Sequence, residues 1–379
     1  MRAGLRAVLF LGLLSLFGDF VYEGGRAAAP DLFRQLGLTA AGVGLVMGAA
    51  ELAGWIARPI GGAVVDRYGR YDVLVRAGYG MLFVVPLMAL AQSWAALAAI
   101  VFAERVAKGL RTPARDAMLA RLRGEMGLGS AFGLHEFLDQ FGAIAGPLTV
   151  AAAAAIYGDL RTAVLYTLLP YAALLFLLWR IPAVSAGAER DPPERGFQRR
   201  VIAYTAAASL NVAGLLPVSV VLYKVSAVAE GAGWMVPLAY SVAMIADAVA
   251  AVSLGRALDR YGVRVVSLTV LASAVPAALL SDDLNLLLFC AGLVGVVIGA
   301  HESIFRAVVA ELAGPGRLGA AYGVFGLGVG IGYSVAGFAF GLMVDAGIGP
   351  AGLVAYSLAA QLLSVGLLRT AVAPARKGG

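Results

Sequence analysis

Long stretches of apolar residues recur along the whole chain, separated by short polar or Gly- and Pro-containing interruptions. A helix needs roughly 20 mostly apolar residues to cross a bilayer. The pattern predicts twelve such helices, at residues 5–29, 39–65, 72–91, 95–119, 129–156, 162–180, 201–223, 233–255, 264–280, 284–310, 319–344 and 350–369. The strict alternation over about ten residues that is typical of membrane β-barrels is missing from the sequence. We therefore expect an all-α integral membrane protein.

Composition supports this fold class. The 379 residues are 61% hydrophobic and 14% charged, with a mean hydropathy of +0.86, whereas soluble domains have about 45–50% apolar and about 25% charged residues. The first apolar stretch follows two arginines, as a signal peptide would, but it is long and contains Asp19 and Glu23. We interpret it as the first spanning helix. A single cysteine, Cys290, excludes an intramolecular disulfide and a cysteine-cluster metal site.

Basic residues are concentrated on alternate loops of the predicted topology. The basic loops contain Arg2, Arg6, Arg67, Arg70, Arg76, Arg121, Arg123, residues 190–200, residues 256–264, Arg317 and residues 369–377. The opposite loops contain Arg34, Arg161 and Lys224 and the acidic residues Asp159, Glu230, Asp282, Asp283 and Asp345. By the positive-inside rule, both termini are expected in the cytoplasm, in a multi-pass protein of the cell membrane. The net charge of +6 is therefore attributed to topology and not to nucleic-acid binding.

The chain divides into two related halves. Residues 181–200 (IPAVSAGAERDPPERGFQRR) contain adjacent prolines and several charges, which predicts a cytoplasmic linker between a bundle at 1–180 and a bundle at 201–379. GSAFGLHEF at 129–137 matches GAAYGVFGL at 319–327, 190 positions later, and GGAVVDRYGRYDVL at 61–74 matches GRALDRYGVRVVSL at 255–268. Two echoes at nearly one offset indicate an internal repeat, a common construction in secondary transporters.

The first of these loops carries a recognisable motif. Gly62, Asp66, Arg67, Gly69 and Arg70 follow G-x-x-x-D-R-x-G-R, which resembles the loop signature of the major facilitator superfamily, although a tyrosine replaces its final basic residue. Gly62 would permit close helix approach, Gly69 a tight turn, and Asp66 a contact with a cation or a helix N-terminus. The resemblance implies two six-helix bundles with a solute pathway between them. It also implies gating roles for the loop residues Gly62, Asp66, Arg67, Gly69, Arg70, Asp259, Arg260 and Gly262.

Two other stretches resemble elements of the same superfamily. Residues 105–109, beginning with Arg105, match R-x-x-x-G, an element linked to proton transfer in that family. The residues Gly133, Gly142, Gly146 and Pro147 follow G-x8-G-x3-G-P, as in drug/proton antiporters. The Gly-Gly pair expected next is replaced by Val-Ala at 150–151. The resemblance implies proton-coupled export, and the alternative is that Gly-rich helices simply pack closely.

Ionisable residues lie inside several predicted spans of the first half, where each costs at least about 2.5–3.5 kcal/mol near the centre. These residues are Asp19, Glu23 and Arg26 in the first span, Arg105 in the fourth, and His135 and Asp139 in the fifth. A buried carboxylate that alternates between a cationic partner and a proton would couple proton flow to transport. The alternative is a static salt-bridge network. Lys108, Arg111 and Arg115 are expected as cytoplasmic anchors or as partners of Asp66.

The second half contains fewer such groups. Asp247 looks isolated, Asn211 offers an uncharged polar contact, and Glu302 and Arg306 form an i, i+4 pair beside His301. His301 could titrate near neutral pH. The sequence predicts that the titratable machinery lies mainly in the first half.

The function predicted from these features is secondary active transport, with proton-coupled export of a small, amphipathic organic solute by a functional monomer in the lipid bilayer. We expect no enzymatic activity, no bound metal, no cofactor and no nucleic-acid partner. One alternative is exchange of an organic anion or phosphate compound, bound directly by Arg105 and its neighbours. Another is export of a metal ion by the set His135, Asp139, Asp19 and Glu23. No G-x-x-x-x-G-K-[ST] loop is present, which disfavours ATP-driven transport by this chain.

Overall fold

A computed structural model describes residues 2–120, 128–181, 199–261, 264–301 and 318–372, with the single residues 305, 308, 309 and 312. Over these ranges the secondary structure is helical, and no strand is formed. The α-helices are α1 (Arg2–Gln35), α2 (Ala40–Tyr68), α3 (Tyr71–Gly80), α4 (Trp94–Ala120), α5 (Leu128–Tyr157), α6 (Leu160–Leu165), α7 (Leu168–Arg180), α8 (Arg199–Ala213), α9 (Val218–Val228), α10 (Met235–Tyr261), α11 (Arg264–Ala272), α12 (Leu284–Ala300), α13 (Leu318–Asp345) and α14 (Pro350–Val372).

The all-α prediction is confirmed. Among the described residues, nine helical stretches are long and apolar enough to cross a membrane, and the two stretches Val265–Leu279 and Leu284–Ala300 are apolar but shorter. Helix α4 has the length of a span but carries a row of charges, so it is not among the nine. The count of twelve spans stays a prediction.

Backbone irregularities recur at nearly the repeat offset of the sequence. Short 3₁₀ segments continue α3 and α11, and each contains a proline near its start, Pro86 in one and Pro276 in the other. The helix after each segment begins with a side-chain cap: Ser93 accepts from the backbone of α4, and Asp283 accepts from that of α12. Glycines with positive φ also occur in corresponding pairs, Gly37 with Gly231 and Gly158 with Gly347. The repeat seen in sequence therefore extends to turns and helix breaks.

The chain forms two compact units, each of which contains a segment from the opposite sequence half. Unit 1 consists of Met1–Thr39, Ala53–Glu189 and Leu222–Met244. Unit 2 consists of Ala40–Leu52, Arg190–Val221 and Ile245–Gly379. The predicted boundary at 181–200 falls largely on residues 182–198, which lie outside the described residues. The division into bundles at 1–180 and 201–379 stays a prediction.

In unit 1, glycines bring α1 and α4 against their neighbours at backbone distance. A Cβ on Gly142 would overlap the carbonyl oxygen of Leu16, and one on Gly146 would overlap that of Phe20, so α5 lies directly on α1. Gly109, the glycine of the R-x-x-x-G element, allows the same close contact in α4, because a Cβ on it would overlap the carbonyl oxygen of Gly54 in α2. Small residues allow this approach without a side chain between the helices. The packing fixes the faces of α1 and α4 that carry the charged residues.

In unit 2, α2 and α13 pack in the same way. A Cβ on Gly44 would overlap the carbonyl oxygen of Gly337, and one on Gly337 would overlap that of Gly44. At the end of this contact, the two carboxylate oxygens of Asp345 accept hydrogen bonds from the amides of Ala40 and Ala41, each at 2.9 Å. Asp345 thereby satisfies two amides at the N-terminus of α2, where negative charge is favourable.

The glycine contacts of α5 can be tested by a matched pair of alanine substitutions. Gly146→Ala should lower the free energy of unfolding by about 1–3 kcal/mol, because the new methyl group meets backbone that cannot rotate away. Gly133→Ala, on the same helix but with nothing within 4 Å of an added Cβ, should be neutral or stabilising. Thermal unfolding in detergent checks both variants, and equal melting temperatures would contradict the packing described.

Candidate functional site

One face of α1 carries a column of polar side chains within unit 1. Ser15, Asp19, Glu23 and Arg26 follow the i, i+3 and i+4 spacing of a single helix face. Asp19 and Glu23 are buried, although ionised carboxylates are costly to bury without partners. Their partners are therefore expected on the helices packed against this face.

Helix α4 supplies those partners. Lys108 Nζ lies 3.6 Å from Asp19 Oδ2 and 3.7 Å from Glu23 Oε1, so one ammonium group is shared by two carboxylates. Arg111 Nη2 lies 3.6 Å from Asp19 Oδ1. On α1 itself, Arg26 Nη1 lies 3.7 Å from Glu23 Oε2. The two carboxylates and three cations form one connected network, which we call the α1–α4 charge network.

The ion pairs of this network are looser than ordinary charged hydrogen bonds. All four distances are 3.6–3.7 Å, whereas an ammonium or guanidinium donor normally lies about 2.7–2.9 Å from a carboxylate oxygen. By contrast, Arg115 and Asp116 approach to 3.0 Å. A cationic side chain that lies at moderate distance from several carboxylate oxygens can change its partner through a small movement.

Aromatic rings support the cations of the network. Lys108 Nζ lies 3.7 Å from the ring centroid of Tyr22, and Arg105 Cζ lies 4.5 Å from the same centroid. Arg111 Cζ lies 4.2 Å from the ring centroid of Tyr79. These are cation–π distances, and such contacts stabilise a desolvated cation by about 2 kcal/mol. Arg105 also pairs with Glu104 at 3.6 Å. Arg105 is thus buried beside the network.

The expected role of Lys108 and Arg111 as cytoplasmic anchors or partners of Asp66 is wrong. The side chain of Arg111 is only 1% exposed, and both residues pair with carboxylates of α1. The basic residues of α4 are evident in the sequence, but the depth of each residue in the membrane depends on the axial position of α4 relative to α1, which composition does not specify.

A second polar group lies next to the network. Asp139 on α5 accepts a hydrogen bond from the Ser15 hydroxyl, and Ser15 in turn accepts from Arg115 Nη1 at 3.0 Å and from the Tyr79 hydroxyl at 3.2 Å. Arg115 Nη1 also lies 3.9 Å from Asp139 Oδ1. Asp139 is therefore connected to α1 and α4 through Ser15. His135, one turn earlier on α5, is buried, and its Nε2 has no hydrogen-bond partner among the described residues.

The network also reaches a residue that sequence reasoning missed. The buried Tyr240 hydroxyl of α10 donates a 2.6 Å hydrogen bond to Glu23 Oε2, and Arg26 Cζ lies 5.8 Å from the Tyr240 ring centroid. Tyr240 belongs to the second half of the sequence but to the compact unit that contains α1. No local motif marks it, since a tyrosine in an apolar helix is usually a packing residue. Ser15, four residues before Asp19, could have been found from helical spacing.

In unit 2, two candidates of the second half, Asn211 and His301, belong to a buried polar group. Asn211 Oδ1 lies 2.6 Å from His301 Nε2, and the Asn211 amide also bonds to Gln361 and Ser273. His301 stacks on Phe305 with ring centroids 4.1 Å apart. These contacts fix the imidazole in place within a helix-packing core.

The other second-half candidates do not join this group. Asp247 is buried on α10, where its carboxylate would lie 2.9 Å from a Cβ placed on Gly299 of α12. It therefore faces a packed helix and is not isolated. Glu302 and Arg306 lie outside the described residues.

The loop motif after α2 is partly described. Gly69 has φ of +65°, as a tight turn requires, and Arg70 Nε donates to Asp72 Oδ1 at 3.2 Å, which raises the pKa of Arg70. The expected close helix approach at Gly62 is wrong: an added Cβ would be 4.0 Å from its nearest contact, whereas one on Gly61 would overlap α4 backbone.

The same arginine–tyrosine contact occurs within each copy of the loop motif. Arg67 lies over Tyr68 at 5.7 Å, and in the second copy Arg260 lies over Tyr261 at 5.3 Å. The side chains of Asp66 and Asp259, and all of Gly262, lie outside the described part of the chain. The gating roles of these loops stay predictions.

Helix α5 carries the three glycines that resemble the antiporter element, and two of them have a packing role. Gly142 and Gly146 contact α1 backbone, while Gly133 has nothing within 4 Å of an added Cβ. Pro147 lies inside α5, one residue after the second contact. These contacts account for two glycines without reference to a transport direction. For the metal alternative, no group of three or more His, Cys, Asp or Glu residues in the described ranges could hold a metal ion.

Comparison with known proteins identifies the family. A family model described as the Major Facilitator Superfamily matches residues 8–234. The chain belongs to the major facilitator superfamily. An uncharacterized protein of Mycobacterium tuberculosis (strain H37Rv) is 34% identical over 375 residues, covering 95% of this chain and 91% of the relative. An uncharacterized MFS-type transporter of Methanocaldococcus jannaschii is 32% identical over 143 residues, covering 37% of this chain and 35% of the relative.

Solved structures show the same fold. A crystal structure of a mutant of the nucleoside transporter NupG aligns with a TM-score of 0.78 at 15% identity, covering 95% of this chain and 99% of the other. A bacterial homolog of the human lysosomal transporter Spinster aligns with a TM-score of 0.71 at 15% identity, covering 96% and 94%. This major facilitator superfamily chain is a multi-pass membrane transporter of a small-molecule solute and not an enzyme. None of these relatives is described as a drug/proton antiporter, and that subtype stays a prediction.

The Asp19–Arg111 pair can be tested by a double-mutant cycle. Arg111→Met should lower the free energy of unfolding by about 3 kcal/mol, because it leaves Asp19 buried with Lys108 alone. Combining it with Asp19→Asn should recover part of that loss, since the uncompensated charge is gone. Thermal unfolding in detergent measures both. Arg180→Met, which removes a cation at the end of α7, is the control and should have little effect. Strictly additive losses in the double variant would contradict the pairing.

Proposed function

We propose that the chain is a proton-coupled secondary transporter of a small organic solute, with Asp19 and Glu23 as the proton-exchanging groups. The observation that carries the proposal is the position of Lys108, whose ammonium group lies 3.6 Å from one carboxylate and 3.7 Å from the other. A proton that binds either carboxylate competes directly with this shared cation. The protonation state of the pair therefore sets the position of Lys108.

Protonation of Glu23 would have two local effects. It would weaken the contacts of Glu23 with Lys108 and Arg26, and Lys108 would move toward Asp19, which stays ionised. It would also weaken the hydrogen bond from Tyr240, because a neutral carboxyl group is a poorer acceptor than a carboxylate. Since Tyr240 is on α10, the charge network on α1 and α4 is linked to a helix from the other sequence half. This link is how proton binding would influence alternating access.

The family supports the remaining parts of the proposal. Rocking of two repeats around a central site is a common transport mechanism for inverted-repeat folds. The solved relatives include one described as a nucleoside transporter and one described as a homolog of a lysosomal transporter, which supports an organic solute. The basic loops support a cell-membrane protein with both termini in the cytoplasm, and we propose that it acts as a monomer.

Export was predicted from the G-x8-G-x3-G-P element. Packing of α5 on α1 accounts for Gly142 and Gly146, so this element gives little support for a direction. The direction depends instead on whether the solute competes with the proton or binds together with it. A solute that competes with the proton would be exported by antiport.

The proposal is tested by transport in proteoliposomes, using a solute found by thermal-shift screening of the purified chain. Glu23→Gln should abolish accumulation driven by an imposed pH gradient but retain solute exchange without a gradient, because the neutral side chain cannot cycle a proton. Asp159→Asn is the matched control, since Asp159 caps α6 on a loop outside the network. Accumulation by the wild type that ignores the pH gradient would show that the proton coupling is wrong.

A further inference from the structure

The contacts between α1 and α4 continue beyond the α1–α4 charge network. From Glu23 toward the N-terminus of α1 they are spaced by about one helical turn. They are the contacts of Glu23 with Lys108, of Asp19 with Lys108 and Arg111, and of Ser15 with Arg115. At the last contact α1 supplies a hydroxyl group and not a carboxylate. The carboxylate comes from α5, because the Ser15 hydroxyl donates a hydrogen bond to Asp139. Asp139 therefore has the place in this series that an acidic residue of α1 would have.

The carboxylates become more exposed along the series. The side chains of Glu23 and Asp19 are 7% and 6% exposed, and that of Asp139 is 18% exposed. The side chain of Asp116, next to Arg115 on α4, is 43% exposed. Asp116 lies near the C-terminal end of α4, which the basic loops predict to be cytoplasmic. The series thus leads from the buried pair of carboxylates to the predicted cytoplasmic surface.

Arg115 is shared between the two more exposed carboxylates, as Lys108 is between the two buried ones. Its Nε and Nη2 atoms each lie 3.0 Å from Asp116 Oδ1, whereas its Nη1 atom lies 3.9 Å from Asp139 Oδ1. If Asp139 took up a proton, Arg115 would keep the closer of its two carboxylate partners. Protonation of Asp139 therefore leaves the charge of Arg115 paired.

Asp139 is also close enough to Asp19 for the two charges to repel each other. Neighbouring carboxylates exchange protons readily, because a proton on either one relieves the repulsion. Asp19 is buried, and its Oδ1 atom accepts no hydrogen bond from the described residues. This oxygen therefore has a lone pair with which it can take a proton from Asp139.

The other titratable and charged groups around Asp139 come from the helices packed at this end of unit 1. They are Asp19 of α1, Tyr79 of α3, Arg115 and Asp116 of α4, and His135 and Glu136 of α5 itself. His135 is influenced by the charges of Arg115, Asp116 and Asp19, and its Nε2 atom has no hydrogen-bond partner in the described part of the chain. His135 is therefore the alternative carrier of a proton.

We infer that Asp139 is the proton relay between the cytoplasm and the Asp19–Glu23 pair. This inference rests on the proposed proton coupling and adds the route by which the proton reaches the pair. A hydronium ion on the cytoplasmic side gives its proton to the Asp139 carboxylate, while Arg115 stays with its other partner. Asp139 then gives the proton to Asp19 and becomes ionised again, and Asp19 passes it to Glu23. Lys108 moves the opposite way, from Glu23 to Asp19. The reverse steps return the proton to the cytoplasm.

The inference is tested by the kinetics of proton uptake without any solute. The purified full chain in detergent and weak buffer is mixed from about pH 8 to about pH 6, a range in which buried carboxylates can titrate, and the indicator pyranine reports the protons taken up. Glu23→Gln should remove one phase of the uptake, which identifies the phase that belongs to the buried pair. Asp139→Asn should keep the amplitude of that phase but slow it by roughly tenfold or more, since the relay is lost.

An added acid and further variants distinguish a relay from a structural role. Formate, which carries the acid group that asparagine lacks, should restore the rate of Asp139→Asn, whereas chloride at the same concentration should not. Asp139→Glu keeps a carboxyl group and should stay close to the wild-type rate. If Asp139→Asn fails to fold, Ser15→Ala, which removes the hydroxyl that holds Asp139, should slow the same phase.

Asp283→Asn is the matched control for loss of a carboxylate elsewhere. Asp283 caps α12 in unit 2, and asparagine can accept the same hydrogen bond from the backbone of Leu286. This variant should change neither the rate nor the amplitude of the phase.

Each contrary result has a distinct meaning. If neither Glu23→Gln nor Asp19→Asn removed a phase, the proposed proton coupling itself would be wrong. If Glu23→Gln removed its phase but Asp139→Asn kept the wild-type rate, the coupling would stand and the relay assignment would be wrong. A rate lowered by His135→Gln instead would assign the relay to the histidine. A slow phase that formate did not restore would indicate a structural role for Asp139, and a lost amplitude would make Asp139 a coupling group. Either result overturns the inference.

Discussion

The organisation of unit 1 depends on the cost of placing charge inside a membrane. Asp19 and Glu23 can stay buried because Lys108, Arg111 and Arg26 lie within 3.6–3.7 Å of them and Tyr240 donates a hydrogen bond to Glu23. These short distances require α1 and α4 to lie in fixed positions. The backbone contact of α1 with α5 and that of α4 with α2 hold the two helices there. An isolated carboxylate at this depth would be neutral or would destabilise the helix that carries it. Packing by glycine and charge pairing are therefore two parts of one constraint.

Much of this could be predicted from the sequence, because the signals are local. The length of the apolar stretches predicted the helices, and the i, i+4 spacing of Asp19 and Glu23 predicted that both lie on one face of α1. The repeat offset was visible in the two Asp-Arg loops, and the structure adds paired turns such as Gly158 and Gly347, with φ of +71° and +69°. Periodicity within one helix and similarity between two segments do not depend on tertiary contacts.

The partners of Asp19 and Glu23 could not be predicted, because they depend on tertiary contacts between helices. The axial position of α4 relative to α1 decides whether Arg111 contacts Asp19 or lies at the membrane surface, and it depends on small residues on several helices at once. Tyr240 was beyond reach because its contact joins residues 217 positions apart. Gly61, rather than its motif neighbour, makes the close approach to α4, because helix rotation decides which of two adjacent glycines faces a partner.

The contact between α2 and α13 has a mechanical consequence. At Gly44 and Gly337 the two helices meet through backbone atoms. Helices joined by knobs and holes must repack their rotamers to slide or part, and each misfit is penalised by lost dispersion contacts. No rotamer has to change at these two glycines if the helices shift, so this point of the contact would offer little resistance to movement. The two hydrogen bonds that Asp345 accepts from α2 would favour return to the register seen here.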